Sequence, residues 1–238
     1  MSLYRDRGVV LRTHKLGEAD RIVVVLTRDH GKVRAVAKGV RKTKSRFGAR
    51  LEPLSHVDLL LYVGRELDIV TQADSIDLYA PIRDDFERLA RAVSMLEAAD
   101  QVAMEREPNP RLYRMLEGAL RELAARDAPL VVPAFFLKLL ALEGYRPQVE
   151  ACVVCGAESG LVAWAIEEGG MRCAEHRQGS AISEEALAIV QQILGGKLGS
   201  ALNAPASSVT AEVDHLAVKV LEHHLERRLR SVHSLHRA

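Results

Sequence analysis

The chain has 238 residues, 48% of them hydrophobic and 27% charged, with a formal net charge of +1. That is enough to bury a substantial core in one large or two modest domains. It contains no 18-residue apolar run, and its first dozen residues mix charge with short apolar groups, which argues against a membrane-spanning helix and a secretory signal. A cytoplasmic protein is the expectation.

The near-neutral total hides a polarised distribution. Residues 1–80 carry 15 Lys and Arg against 10 Asp and Glu, whereas 81–150 carry 10 against 12 and 151–238 carry 8 against 10. Within 28–50 there are nine basic residues and one acidic residue, Asp29. Such asymmetry speaks to partners rather than to fold.

From the N-terminus, "GVVLRT" (8–13) and "RIVVVLT" (21–27) are rich in β-branched residues and predict strands. "RDHGKVRAVAKG" (28–39) adds a third strand and places Gly31 where a hairpin turn needs positive φ. "HVDLLLYVG" (56–64) and "LDIVTQADSIDL" (67–78) complete five strands, with short links except for the basic stretch after the third. Five short antiparallel strands suit a small closed barrel, which leaves no exposed edge.

The period changes at Pro81. A long amphipathic helix is predicted over 84–107, with Phe86, Leu89, Ala90, Val93 and Leu96 on one face and Asp84 with Glu87 as a capping box. A second helix starts near Pro110, and "VVPAFFLKLLALEG" (131–144) is apolar around most of its circumference and predicts a buried helix. Helices over 183–196, with a Ser cap, and 211–234 follow, separated by a loop. The expected fold class is α+β in two domains. A five-stranded OB-fold barrel over 1–80 precedes an α-helical domain over 81–238, into which a finger at about 150–180 is inserted.

That finger carries all three cysteines of the chain. Cys152-x-x-Cys155-Gly156 is followed by Cys173-x-x-His176, two knuckles that can set four ligands around one tetrahedral ion. Three thiolates and an imidazole leave no open position, so the expectation is one structural zinc. A redox CxxC would sit at a helix start in a βαβ setting, which this chain lacks. Trp164, between the knuckles, is expected to pack inside the finger.

No GxxxxGK[ST] phosphate loop, nucleophile elbow or two-metal acidic cluster stands out, so no enzyme is expected. His215, His223, His224, His233 and His236 read as solvated surface. The basic stretch is the stronger signal. Its charges are not balanced by neighbouring acids, they lie at a barrel rim where such folds take ligands, and Gly39, Thr43 and Ser45 offer donors for phosphate oxygens. Aromatic platforms are scarce, with Phe47 alone inside the stretch, either stacking on a base or packing under the loop. Binding is therefore expected to be dominated by counterion release and to tolerate single and double strands. A protein-interaction scaffold and an RNA-binding factor remain alternatives on composition alone.

The motifs "VVLRTHKLGEADRIVVVLT" (9–27) and "G-x-VRAVAKGVRKTKSRFGARLEP" (31–53), with a helical half and a late CxxC…CxxH finger, resemble the bacterial recombination-mediator family RecO. The resemblance implies an OB fold without ATPase activity, DNA binding, and annealing of complementary strands coated with single-strand binding protein (SSB). It also implies partnership with RecR, loading of the RecA recombinase, and a pocket in the helical domain for the SSB C-terminal tail. It assigns DNA contact to Arg34, Lys38, Arg41, Lys42, Lys44, Arg46 and Arg50. His176 stands where zinc-bearing members commonly have a fourth cysteine.

Overall fold

A computed structural model describes residues 2–43, 45, 47–229 and 231. Compact packing divides the chain into Met1–Ala124 and Ala125–His233, each taken by itself below.

The first unit is built on β1 (Leu3–Leu16), β2 (Asp20–Thr27), β3 (Lys32–Ala37), β4 (His56–Tyr62) and β5 (Asp68–Asp77), closed in the order β1-β2-β3-β5-β4. Pairing is antiparallel except at the seam, where β3 meets β5 in parallel at Ala35 and Val36. This is the expected OB-type barrel. β1 exceeds its expected six residues because it pairs along its length with β2 on one side and β4 on the other. A register shift at Val10/Arg12 gives it the bend that closure requires.

Alternation fills the barrel. Val33, Ala35 and Ala37 of β3 point inward with Val57, Leu59 and Leu61 of β4, while Arg34 faces out. Gly31 has φ +69°, as the hairpin demands, and a Cβ there would meet the Glu107 carbonyl oxygen at 2.1 Å.

After the barrel come α1 (Ala80–Arg83), α2 (Phe86–Val102) and α3 (Pro110–Ala125). The single helix expected over 84–107 is thus broken at its start and ends at Val102. Its cap is Asp85, whose carboxylate accepts from the Arg88 N–H at 3.0 Å, not Asp84. The buried face is Ala92, Met95, Leu96 and Ala99, whereas Phe86 is 71% exposed. An alanine-rich helix offers two apolar stripes at helical spacing, and packing against α1 and β1 selects the one with small residues. In α3, Asn109 caps the helix by accepting from the Leu112 N–H, and Leu112, Leu116, Leu120 and Leu123 are buried as expected.

Polar ties join these helices to the barrel. Lys32 on β3 donates to the Asp100 carbonyl at 2.6 Å, and Arg12 pairs with the Asp100 carboxylate. Asp68, fully buried, accepts from Arg106 at 2.8 Å, from the Gly64 N–H at 3.1 Å and from the Tyr4 hydroxyl. These donors hold its carboxyl below the usual range although burial pushes the other way.

The second unit contains α4 (Val131–Leu142), a three-stranded sheet of β6 (Leu161–Ala165), β7 (Gly170–Cys173) and β8 (Ser180–Ala181), then α5 (Glu184–Leu194), α6 (Leu198–Ala201) and α7 (Ser208–His224). Nine of the twelve residues of α4 are buried, as its apolar circumference requires. The Ser183 cap is present, accepting from the Ala186 N–H. α6 lies in a stretch expected to be loop. α7 starts three residues earlier than expected, where Ser207 and Thr210 form a reciprocal capping box, and ends at His224. Glu226 at φ +50° takes the chain out of helical geometry. Residues 230 and 232–234 of the expected helix, and with them His233, lie outside the described residues, as does His236. Among the described residues no helix is long and apolar enough to cross a membrane.

Candidate nucleic-acid interface and metal centre

The basic stretch leaves β3 at Ala37 and turns at once. Gly39 has φ +67°, its N–H donates to the Asp20 carboxylate at 2.7 Å, and the Arg41 N–H donates to the Ala19 carbonyl at 2.9 Å. The turn is thereby fastened to the β1–β2 hairpin. The Gly39 N–H is consequently engaged within the protein, whereas Ser45 Oγ only accepts, from the Phe47 N–H at 3.2 Å, so its hydroxyl and the exposed hydroxyl of Thr43 can both still donate to a phosphate.

Arg34, Lys38, Arg41, Lys42 and Arg50 are all exposed. Lys44 and Arg46 lie outside the described residues. The expectation of uncompensated charge needs correction at Arg34, whose guanidinium lies 3.6 Å from Glu105, an acid 71 positions away in sequence that only folding brings near. With both partners exposed such a pair is worth about 0–1 kcal/mol. Arg41 donates to the carbonyls of Glu18 at 2.8 Å and Gly17 at 3.3 Å, which aims its side chain along the hairpin turn. Lys38 and Lys42 have no ion-pair partner among the described residues.

Phe47 is 1% exposed and packs into the barrel with Val10, Val23, Leu51, Val57 and Leu59. It is a core residue and no base platform. Tyr79 is buried, and Tyr4 and Tyr62 are half-buried, so none of the four aromatic side chains of residues 1–80 stands exposed. What this face offers a nucleic acid is charge. The charge count also passed over a distinction that side-chain direction makes: Lys32 and Arg28, in the same stretch, are held by Asp100 and Asp29.

The second site is in the finger. Gly156 at φ +76° completes the first knuckle, with its N–H on the Cys152 carbonyl at 2.9 Å. The Val153 N–H donates to the Met171 carbonyl at 2.8 Å, and the Ala174 N–H to the Gly160 carbonyl at 3.0 Å, which brings the second knuckle alongside. The ligand atoms of Cys152, Cys155, Cys173 and His176 all lie within 4.8 Å of one another.

The fit to an ion can be checked by edges. Tetrahedral zinc, with Zn–S of about 2.3 Å and Zn–N of about 2.0 Å, requires S···S edges of about 3.8 Å and S···N edges of about 3.5 Å. Cys155 Sγ and Cys173 Sγ are 3.7 Å apart, and His176 Nδ1 lies 3.3 Å from Cys173 Sγ and 3.9 Å from Cys152 Sγ. The donor set fits a closed four-coordinate metal site.

At two of the three thiols the electrostatics agree with that use, whereas at Cys155 the lowering by the Ala157 N–H is outweighed by desolvation and by hydrogen bonds to Cys152 and Cys173, which raise the thiol. Hydrogen bonding to His176 draws the Cys173 thiol down, and His176 rises in return. Burial pushes Cys152 up, but the N–H groups of Cys155, Cys173 and Val154 outweigh it and bring the thiol down to about 6. Trp164, fully buried, fills the small core of the finger as expected.

The family model described as recombination protein O N terminal matches residues 1–79, and that described as recombination protein O C terminal matches residues 83–233. The chain belongs to the recombination protein O family. Curated relatives named DNA repair protein RecO cover it from end to end. The protein of Bifidobacterium adolescentis is 46% identical over 99% of this chain and 100% of its own length. Those of Thermobifida fusca and Frankia casuarinae are 45% and 46% identical over the full length of both chains. The two RecO matches between them span the barrel, the helices and the finger.

Proposed function

We propose that this protein is a DNA-binding recombination mediator, without catalytic activity of its own, acting in gap and double-strand break repair. Residues 1–80 form the DNA-binding domain and residues 81–238 the helical domain with its finger. The reading is carried by one observation, the exposed basic run fastened to the rim of an OB-type barrel in a chain of the RecO family. DNA contact falls on Arg34, Lys38, Arg41, Lys42, Lys44, Arg46 and Arg50.

The chemistry is charge neutralisation. Lys and Arg replace the counterions condensed on the phosphates of one strand, releasing those ions to solution, and a second, complementary strand then approaches a backbone whose repulsion is screened. Absence of exposed aromatics on the barrel supports binding that depends weakly on sequence and accepts single and double strands. In the cytoplasm the protein anneals SSB-coated strands and, with RecR, helps load RecA. A pocket in the helical domain receives the SSB C-terminal tail.

Cys152, Cys155, Cys173 and His176 hold one zinc ion. Zinc there supplies structure rather than reactivity, since four protein ligands leave no place for water. The chain's own part is to present three thiolates and one imidazole from two knuckles that the finger's backbone hydrogen bonds hold together.

The test is an annealing assay of complementary oligonucleotides, naked and SSB-coated, with the purified protein. Acceleration of both supports the proposal. Failure to anneal naked strands points instead to an interaction scaffold, and strong preference for RNA in competition counts against a repair role.

A further inference from the structure

A second charged surface lies in the other unit and has the opposite sign. At the end of α4, Gly144 at φ +89° reverses the chain, and the Tyr145 N–H returns to the Leu140 carbonyl at 2.8 Å. The reversal sets the Tyr145 ring, 62% exposed, against the imidazole of His224 at the end of α7, with centroids 3.9 Å apart. The two rings stand over a cleft of about 380 Å³ whose apolar wall includes Leu140, Ile166 and Val220. That volume is at the low end for a ligand site and suits one or two side chains.

Three carboxylates line the same cleft, from Glu167 and Glu168 on the β6–β7 turn and from Glu226 beyond α7. Arg172 engages Glu168, whereas Glu167 and Glu226 have no cation partner among the described residues. No Lys or Arg is among the described lining residues. The C-terminal end of α7 also borders the cleft, at Val220, His223 and His224, and the negative end of a helix dipole adds to the negative potential there. An anionic ligand is disfavoured here, and a purely apolar one would strip water from two carboxylates without replacing their hydrogen bonds.

We infer that this cleft is a binding site for an arginine side chain presented by a partner polypeptide. The aliphatic stem lies along Leu140, Ile166 and Val220, the guanidinium donates to Glu167 and Glu226, and its plane stacks on the exposed Tyr145 ring. Arginine suits the site better than lysine because its planar, weakly hydrated cation can stack on a ring and bridge two acids at once. The inference is independent of DNA binding, because the ligand has the charge opposite to a phosphate.

The test titrates Nα-acetyl-L-arginine amide into the full chain near pH 7.5 and follows the Tyr145 ring resonances by NMR. Nα-acetyl-L-citrulline amide serves as the neutral isostere. Saturable shifts with arginine, at least fivefold tighter than citrulline, are expected. The E167Q/E226Q pair should weaken arginine binding by fivefold or more without changing the melting temperature or DNA affinity, and Y145L should weaken it with the acids intact. No saturable shift, equal binding of citrulline, or an undiminished affinity in E167Q/E226Q would overturn the assignment.

Discussion

Replacing Lys38, Arg41 and Lys42 together with Ala removes three exposed cations from the barrel turn while leaving its fastening to Asp20 and Ala19 in place. If wild type neutralises about five phosphates, log affinity for single strands falls against log salt with a slope of about −3.5, since each contact contributes about 0.7. Three lost contacts should bring the slope to about −1.4. The same counterion term evaluated at about 0.1 M salt predicts roughly a hundredfold loss of affinity. The structural cost should be small, because the side chains are exposed and only Arg41's two hydrogen bonds to carbonyls are lost, at about 1 kcal/mol or less each. The assay is fluorescence anisotropy of a labelled oligothymidine across a salt series, with a thermal melt to confirm folding. Arg34→Ala alone should do less than its share, because Glu105 already neutralises part of its charge. A triple variant whose salt slope equals that of wild type would refute the assignment of this turn to phosphate contact.

Phe47→Ala should destabilise the protein by about 3–5 kcal/mol in urea unfolding, as expected for an aromatic deleted from a packed core. Phe47→Leu should keep DNA affinity within about twofold, and a large affinity loss in a stably folded F47L would instead mean a base contact. Elemental analysis of protein purified without chelator should find one zinc per chain, and Cys173→Ser should lose the metal and melt at lower temperature; a metal-free, equally stable wild type would refute the site. His56 is buried on β4 with its Nε2 2.7 Å from the Tyr113 hydroxyl. Burial lowers its pKa from the ordinary 6.5, and Tyr113 is pushed up to about 12, so the phenol keeps its proton and donates to a neutral imidazole. A histidine depressed on folding takes up protons first in the unfolded chain. Its contribution is therefore intact above pH 6.5 and is lost as pH falls from there through the folded value. Urea midpoints of wild type and His56→Gln should converge as pH drops from about 8 to 5, and a constant gap would show that His56 is not the titrating group.

Much of the site was legible in the sequence because its signals are local. A CxxC knuckle followed by glycine can adopt few shapes, and the four ligand positions read from spacing are the four that converge. The excess of Lys and Arg after the third strand needs no fold to be noticed, and β-branched alternation with Gly31 was enough to count the strands. Phe47 shows where that reasoning stops. A lone aromatic in a basic stretch suits a base platform or a plug equally well, and only closure of β1 against β4, with Leu51 beside it, decides that it faces inward. The Arg34–Glu105 pair and the choice between the two apolar stripes of α2 were likewise invisible. The sequence by itself determined the five barrel strands, the metal-ligand set and the sign of charge at each end of the chain, because these depend on neighbours within a few residues, whereas the three strands of the finger were not read from it. Tertiary structure alone decided which cations keep their charge exposed and which aromatics are core. Those outcomes depend on groups that approach only after the chain has closed, and burial and pairing, unlike spacing, have no local signature.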